Sequence, residues 1–467
     1  MYKYPWSRGF SSQNNEYSYD IKNVSGRVPS WLNGTLYRNG PAKNDLNGQW
    51  FPHWFDGDGM ISSFRFQDGN IFYQNKFIKT QSYLNEKKSN RILTRGFGKM
   101  RPGGVLENIF RYPANVSNTS VLMTDFGLLS LWEGGAPYRI DPDTLDTLDI
   151  YDFEGSASVF SAHPKIDPDN GVIYNFGIEY GAFGASLSLY EIDGKEFRVK
   201  GKIALPHAYM NHDFILTKNY MVFCFGPILL HSTTMMLGLD SFDSALYWKK
   251  DIPTKILLVS RNDLKTQWIE ADPFFQFHFA NGFEDGDHVI IDLIKYPTYN
   301  QIGQAFREFW HTDWPSNNLG KLNRMSINLK NDDVSFISYD TGTTNEFPHV
   351  DTRSTGTSYK FSYIVSNPDN CLYGWVQRLT RVNMESGEVV SRQFDQNEFP
   401  GEALFVPSSP TATAEDGIVL VMLYNANDHI TELVGLNPEK INGEYLFKAK
   451  LNHHVPIPLH GIFVPQR

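Results

Sequence analysis

Phe64-Arg-Phe-Gln-Asp-Gly69 has the form of one arm of a β-hairpin, a short apolar strand that runs into an Asp-Gly turn. Asp and Gly tolerate the positive φ angles that a tight hairpin turn requires, and the alternating aromatic residues before them predict a strand. The same form, an apolar strand followed by an Asp or Asn turn, recurs along the chain. The further copies begin at Tyr138, Tyr190, Leu258, Ser326, Thr380 and Val434.

The spacing of these hairpins predicts the fold class. They lie roughly 50–70 residues apart, whereas a four-stranded propeller blade takes about 40–50 residues, so the longer intervals leave room for inserted loops. We therefore predict an all-β protein, a seven-bladed β-propeller that forms a single domain over residues 1–467. A β-sandwich with added loops is the alternative that the hairpins alone leave open.

Composition excludes several classes of protein. Hydrophobic residues make up 41% of the chain and aromatic residues 15%, which is ample for a large core. The net charge of −10 and the absence of a basic run argue against nucleic acid as a partner. The two cysteines, Cys224 and Cys371, are expected to be reduced thiols. With no signal-like start and no long apolar run, we expect a cytoplasmic monomer.

Residues 226–248 form an apolar, Met-rich insert that ends at Lys249-Lys250. Two interpretations stay open. The segment is a buried core helix, or Ile228-Leu-Leu and Met235-Met-Leu form an exposed apolar patch that makes peripheral contact with a membrane.

Four of the thirteen histidines stand beside small or turn-forming residues at the ends of predicted strands. They are His163, His212, His278 and His460. A propeller brings the innermost strands of its blades around one axis, so ligands far apart in sequence converge there. Neutral imidazoles suit iron(II) and leave coordination positions open, so we predict a metal site in the central channel.

The motifs around these histidines occur in a characteristic order. They are Leu32-Asn-Gly-Thr-Leu-Tyr-Arg-Asn-Gly-Pro, Trp54-Phe-Asp-Gly-Asp-Gly-Met, Trp132-Glu-Gly-Gly-Ala-Pro, Asn211-His-Asp-Phe, Phe277-His-Phe-Ala-Asn-Gly-Phe-Glu, Phe347-Pro-His-Val-Asp-Thr-Arg, Gly401-Glu-Ala-Leu-Phe-Val-Pro and His460-Gly. Together they resemble the carotenoid cleavage oxygenase family. The resemblance runs from about residue 25 to the C-terminus.

This resemblance implies a propeller with a dome of loops and short helices over an iron(II) site held by the four histidines. Glu133, Glu346 and Glu402 match family glutamates that bond the outer ring nitrogens of three ligands, and such bonds fix the ring orientation. Thr119 matches a threonine whose methyl group crowds one open iron position. The implied reaction uses O2 to cleave a conjugated double bond of a carotenoid or apocarotenoid into two carbonyl products.

A polyene substrate implies a long apolar tunnel with aromatic walls. Its candidate residues are Phe55, Phe110, Phe176, Trp310 and Phe405.

Other functions remain as alternatives. Family members that cleave stilbenes or related phenylpropanoids carry a lysine shortly before the Asn-Thr motif; residues 110–117 contain none here, although Arg111 is present. An isomero-hydrolase would share the iron site. His311-Thr-Asp313 has the spacing of a different iron site, the facial triad. A propeller that only binds peptides is the non-enzymatic alternative.

Overall fold

The structure, a computed structural model, describes residues 3–181, 184–307, 309–310, 320–368 and 374–466, without the side chain at position 301. Cys371 and the His311-Thr-Asp313 motif lie outside these residues.

Seven antiparallel sheets of four or five strands make up the ring. We number them as blades in chain order. From the innermost strand outward they are blade 1 (Ser120–Thr124, Gly127–Leu131, Tyr138–Ile140, Thr147–Ile150), blade 2 (Lys165–Ile166, Ile173–Gly181, Gly184–Asp193, Glu196–Leu205), blade 3 (Ile215–Leu216, Tyr220–Phe225, Thr254–Ser260, Thr266–Ala271), blade 4 (Phe279–Asp285, His288–Lys295, Lys321–Asn328, Val334–Ser338), blade 5 (Thr343–Val350, Phe361–Asn367, Arg378–Asn383, Val389–Gln393), blade 6 (Glu398–Pro407, Gly417–Asn425, Ile430–Leu436, Tyr445–Lys450, Val24–Gly26) and blade 7 (Gly461–Pro465, Gly34–Lys43, Asp58–Gln67, Asn70–Phe77, Tyr17–Asp20). The predicted seven-bladed propeller is confirmed.

All seven predicted hairpins occupy the same place in their blades, the turn between the third and fourth strands from the axis. In the first of them, Asp68 has φ 49° and Gly69 φ 79°, as a two-residue hairpin turn demands. An apolar cluster fills the space between each pair of neighbouring blades. The repeat in the sequence therefore marks one recurring turn, and the ring forms because each sheet buries both faces against its neighbours.

The two ends of the chain close the ring. The C-terminal strand Gly461–Pro465 is the innermost strand of blade 7, where it pairs with Gly34–Lys43 near the N-terminus. Strand Val24–Gly26 forms the outer edge of blade 6.

Inserts between the strands build the dome. It contains four short α-helices, two of the 3-10 helices and two small ribbons among the described residues. These elements are α1 (Gln81–Ser89), α2 (Val105–Asn108), α3 (Ser232–Met236) and α4 (Asn300–Ala305), the 3-10 helices Pro5–Phe10 and Trp54–Asp56, and the paired strands Asp45–Leu46 with Gln49–Trp50 and Ile228–Leu230 with Leu246–Trp248. Two more 3-10 helices, Thr352–Ser354 and Pro438–Lys440, lie in blade loops.

Local sequence sets the ends of α1, the longest of these helices. The Thr80 side chain accepts a hydrogen bond from the Tyr83 amide at the start, and Asn90 ends the helix in the left-handed conformation with φ 52°. Helix α1 presents Tyr83 and Glu86 to the interior.

The insert 226–248 is a ribbon with a single helical turn, so the predicted core helix does not form. Ile228, Leu229, Leu230 and Met235 are buried, which makes the prediction that they form an exposed patch wrong. They pack inward because the ribbon lies against blades 2 and 3 and the dome core. No helix in the described part of the chain is long and apolar enough to cross a bilayer.

Candidate metal centre

Every blade contributes one position at the same end of the central channel. His163, His212, His278 and His460 each stand just before the innermost strand of blades 2, 3, 4 and 7. Thr119 stands just before the innermost strand of blade 1. The innermost strands of blades 5 and 6 contain Glu346 and Glu402, each at an irregularity in the strand register.

The structure brings the four histidines together. One ligand atom of each lies within 4.8 Å of all the others. The Nε2 atoms of His163 and His212 are 2.8 Å apart, and those of His278 and His460 are 3.1 Å apart. The four histidines lie up to about 300 residues apart in the sequence. The circular arrangement of the blades brings their imidazoles together.

The three glutamates bind the other side of three of these rings. Glu133 accepts a hydrogen bond from Nδ1 of His212. Glu346 accepts one from Nδ1 of His278 at 2.6 Å, and Glu402 one from Nδ1 of His460 at 2.8 Å. The predicted pairing of three ligands with three carboxylates is thus present in the geometry.

This pairing creates a need for a cation. A carboxylate on Nδ1 fixes the hydrogen there, so Nε2 of the same ring carries a lone pair. For His278 and His460 two such lone pairs face each other at 3.1 Å, which is unfavourable unless a positive charge lies among them. The donor set therefore fits a divalent metal ion that accepts imidazole nitrogen.

Electrostatics agree with neutral ligands and ionised carboxylates. Burial and the neighbouring histidines lower the pKa of His163 well below its usual range. Burial also lowers the pKa of His460 to about 4, although Glu402 opposes this. Burial opposes ionisation of Glu402, but His460 and Arg38 outweigh it and lower the pKa of that carboxyl to about 2. At neutral pH His163 and His460 are unprotonated and available to a metal.

His212 behaves differently from these two ligands. Burial lowers its pKa, but the charge of Glu133 and their hydrogen bond outweigh burial, so the net shift is upward. A proton therefore competes with the metal more strongly at this ring than at His163 or His460.

An apolar cavity adjoins the cluster, and three of the four histidines, His212, His278 and His460, line it. Two of its polar groups are Tyr296, whose hydroxyl donates to Glu346, and Thr119, whose hydroxyl donates to Asn118 Oδ1 at 3.2 Å. The apolar residues that line it are Trp54, Phe55, Phe97, Trp132, Phe277, Ile302, Phe306, Phe347, Val365, Trp375, Val376 and Leu459. Dome segments supply Trp54, Phe97 and Phe306, so the cavity is the space between the ring and the dome.

Of the predicted tunnel residues, Phe55 lines this cavity. The other four candidates do not line it. Phe110 is on the surface, Phe176 packs with Phe214 and Phe223 between blades 2 and 3, Trp310 stacks on Trp50 in the dome core, and Phe405 stacks on Tyr363 between blades 5 and 6.

The sequence did carry a signal for the missed cavity residues. Trp132, Phe277 and Phe347 are each the immediate neighbour of a predicted ligand or glutamate, so they had to lie near the site. Arg38 and Tyr296, which hold two of the glutamates, had no such neighbour.

Comparison with known proteins decides the family. The family model described as retinal pigment epithelial membrane protein matches residues 10–465. The chain belongs to this family, that of the carotenoid cleavage oxygenases. The resemblance drawn from the motifs is confirmed.

Similar proteins cover almost the whole chain. Apocarotenoid-15,15'-oxygenase of Synechocystis is 34% identical over 98% of this chain and 95% of its own length. Carotenoid cleavage oxygenase 1 of Neurospora crassa is 28% identical over 95% of this chain and 88% of its own length. The crystal structure of cobalt-substituted Synechocystis apocarotenoid oxygenase superposes with a TM-score of 0.93 at 32% identity, covering 99% of this chain and 98% of that one.

Proposed function

We propose that this chain is a single-domain, non-haem iron(II) dioxygenase that cleaves a conjugated double bond of a carotenoid or apocarotenoid. The observation that carries the proposal is the set of four converging imidazoles beneath an aromatic cavity. The names of the similar proteins from Synechocystis and Neurospora crassa support this substrate class. One C=C bond and one O2 give two carbonyl groups, so the reaction needs no outside reductant.

His163, His212, His278 and His460 would hold the iron through Nε2. When bound there, iron(II) supplies the open coordination positions and electrons that activate O2. Glu133, Glu346 and Glu402 act on the ligands from behind. Each keeps the Nδ1 proton of its histidine in place and so keeps Nε2 free and correctly oriented.

Thr119 limits access to the metal. Its backbone carbonyl accepts a hydrogen bond from the His460 amide at 3.2 Å, which fixes it beside that ligand. Because its hydroxyl is engaged with Asn118, the methyl group is the part of the side chain left to crowd the cavity. We assign it the role of narrowing one open position.

The cavity walls exclude water and hold an extended apolar chain. Aromatic faces such as those of Phe277, Phe306 and Trp54 also stabilise positive charge that develops on a polyene, and they offer no nucleophile that would trap it. Among the described cavity residues, the carboxylates Glu133 and Glu346 are hydrogen-bonded to His212 and His278. Oxidative cleavage of a double bond requires no general base.

A phenolic substrate is the second candidate, because isoeugenol monooxygenase of Pseudomonas nitroreducens is 27% identical to this chain. In the described cavity lining there is no lysine to remove a phenol proton. Its tyrosine, Tyr296, already donates its hydroxyl proton to Glu346. A non-phenolic polyene is therefore favoured.

Product masses test this proposal. Purified protein loaded with iron(II) would be incubated in parallel with β-carotene, an apocarotenal and resveratrol under 18O2. We expect two labelled carbonyl fragments from a carotenoid substrate, most readily from the apocarotenal. Cleavage of resveratrol alone would contradict the substrate class, and no oxygen transfer from any of the three would contradict the function.

We also propose that the protein takes its substrate from a lipid surface. The exposed apolar residues of the dome support this, because Leu106 and Phe110 are 86% and 68% exposed and Leu237 and Leu239 are exposed beside them. The Phe110 amide donates to the Met236 carbonyl at 2.7 Å, which joins the α2 and α3 segments into one patch. We call Leu106, Phe110, Leu237 and Leu239 the dome patch.

A patch of this kind gives weak and reversible attachment. It replaces the predicted contact through Leu229 and Leu230, which are buried, while keeping part of the insert 226–248 at the surface. The expected monomer stays a prediction that light scattering can test.

A further inference from the structure

Arg38 lies at the point where the propeller ring closes, in the second strand of blade 7, and only 1% of it is exposed. Its Nη1 donates to Glu402 Oε2 at 2.6 Å, and its Nη2 donates to the Leu459 carbonyl at 2.9 Å. Glu402 Oε1 in turn accepts from His460, the residue after Leu459. The Arg38 guanidinium thus holds His460 in two ways: through Glu402, which binds the His460 imidazole, and through the carbonyl of the preceding residue, Leu459.

The backbone around His460 is held by the same strand. Arg38 is the register partner of Gly461, and the Asn39 amide donates to the His460 carbonyl at 2.8 Å. A Cβ atom at Gly461 would stand 2.6 Å from Arg38 Cδ and 2.2 Å from the Tyr37 carbonyl, so only glycine lets the Arg38 side chain pass. The strand pair that closes the ring is therefore also the support of a metal ligand.

In the described part of the chain, the other two carboxylates that bind ligand histidines have no arginine or lysine partner. Glu346 accepts from the Tyr296 hydroxyl and the Phe347 amide, both of which are neutral. Glu133 has His212 as its hydrogen-bond partner among the described residues, and its side chain is 29% exposed. Among the described residues, Glu402 is the one of the three that forms an ion pair with an arginine, and its side chain is only 9% exposed.

We propose that Arg38 is a positioning residue that fixes the ligand His460 through Glu402 and Leu459, so that ring closure and assembly of the metal site are coupled. The inference rests on the proposed metal-binding function. Any ligand that binds the closed ring better than the open one stabilises closure, and a metal held partly by His460 is such a ligand. Removing Arg38 would leave Glu402 as a buried charge with one donor and free the C-terminal segment to shift.

Metal binding by Arg38 variants tests this role without relying on catalysis. Metal-free wild type, Arg38→Lys and Arg38→Gln would be titrated with Co2+, and the dissociation constant, the visible spectrum of the bound ion and the melting temperature with and without Co2+ would be measured. We expect Arg38→Gln to weaken Co2+ binding about 10–100-fold, the usual effect of losing an outer partner of a ligand. Arg38→Lys keeps the charge but cannot reach both acceptors, so it should recover part of the affinity.

Arg324→Lys is the matched control. Arg324 donates to both carboxylate oxygens of buried Asp292 and to the Met384 carbonyl, and this pair does not line the metal cavity. Its replacement should lower the melting temperature of the metal-free protein while leaving Co2+ affinity and spectrum unchanged. Wild-type Co2+ affinity in both Arg38 variants would overturn the inference. Failure of the wild type itself to bind Co2+ or Fe2+ would instead overturn the proposed function.

A second pair of variants decides the matter if neither Arg38 variant folds. In Glu402→Gln the carboxamide has one acceptor oxygen for two donors, His460 and Arg38. Its NH2 group would therefore face one of these donors and could not accept a hydrogen bond from it. In Glu133→Gln the carboxamide oxygen still serves its one donor, His212. A larger loss of Co2+ affinity in Glu402→Gln is expected, and equal losses in the two variants would overturn the role of Arg38.

Discussion

The ring and the dome differ in how they place their residues. In the ring, each blade offers one position at the same level of the axis, and the metal ligands and two of their glutamates use these positions. In the dome, the cavity residues Trp54, Phe97 and Phe306 come from three segments that share no repeat. The difference fits the proposed function, in which the ring would bind the metal and the dome would select and admit the substrate.

The largest effect is expected from the ring ligands. Replacing His163, His212, His278 or His460 by Ala should lower bound iron strongly and abolish cleavage, because each provides a quarter of the metal's protein ligands. Metal content by elemental analysis and product formation would be measured together. His453→Ala is the control, since His453 is buried but binds Tyr19 and Tyr73 at blade 7. Full metal content and activity in two or more ligand variants would show that the ring does not hold the metal.

The second prediction concerns the junction of ring and dome. Asp58 begins a strand of blade 7 and lies near Lys99 and Glu86 of the dome, which form a buried ion pair at 3.0 Å. Burial raises the pKa of Asp58 to about 7 from its ordinary value of 3.8. The folded state therefore holds this proton more tightly than the unfolded state, and stability falls as the pH rises from about 4 to about 7.

Asp58→Asn should remove this pH-dependent loss of stability, because Asn carries no charge. Since one pKa unit corresponds to about 1.4 kcal/mol, the variant should gain on the order of 4 kcal/mol in unfolding free energy at pH 8 and little at pH 4.5. Thermal or urea unfolding at the two pH values would measure it. Asp193→Asn, at an exposed hairpin of blade 2, is the control for the chemical change itself. An equal change at both pH values would mean that Asp58 does not carry a charge penalty at this junction.

Sequence predicted the ring well and the dome poorly, for a physical reason. A hairpin turn such as Asp68-Gly69 is specified by its own two residues, and a blade places its first residue by strand pairing alone, so His163 and His460 could be expected to meet. The positions of Phe176 and Leu229 depend on which neighbours fill a shared space, and hydrophobicity by itself does not say whether that space is core, cavity or surface. Arg38 was missed because its partner, Glu402, lies 364 residues away.

Within the ring, Glu346 is expected to affect metal binding more than it affects the stability of the fold. Glu346→Gln should weaken metal binding or activity about 10–100-fold, because the carboxamide no longer draws the Nδ1 proton of His278 as a carboxylate does. Glu284→Gln is the control. Glu284 also lies in an innermost strand, but it accepts from Thr217 and Asn219 rather than from a ligand. Equal losses of metal binding or activity in the two variants would show that the effect comes from general destabilisation of the ring.

The smallest effect is expected at the dome patch, and it is the one that most sharply distinguishes dome from ring. Full burial of a Leu or Phe side chain contributes about 1.5–3 kcal/mol, and contact with a lipid surface buries only part of each. Leu106→Ser with Phe110→Ser should therefore weaken liposome binding about 3–10-fold and slow turnover of liposome-borne apocarotenal, while detergent-solubilised substrate and metal content stay unchanged. Leu148→Ser with Ile150→Ser is the matched control, because these residues are similarly exposed at the outer edge of blade 1. If the control pair weakens liposome binding equally, attachment is not specific to the dome. If the Leu106 and Phe110 variant also loses metal, the ring and the dome are not independent.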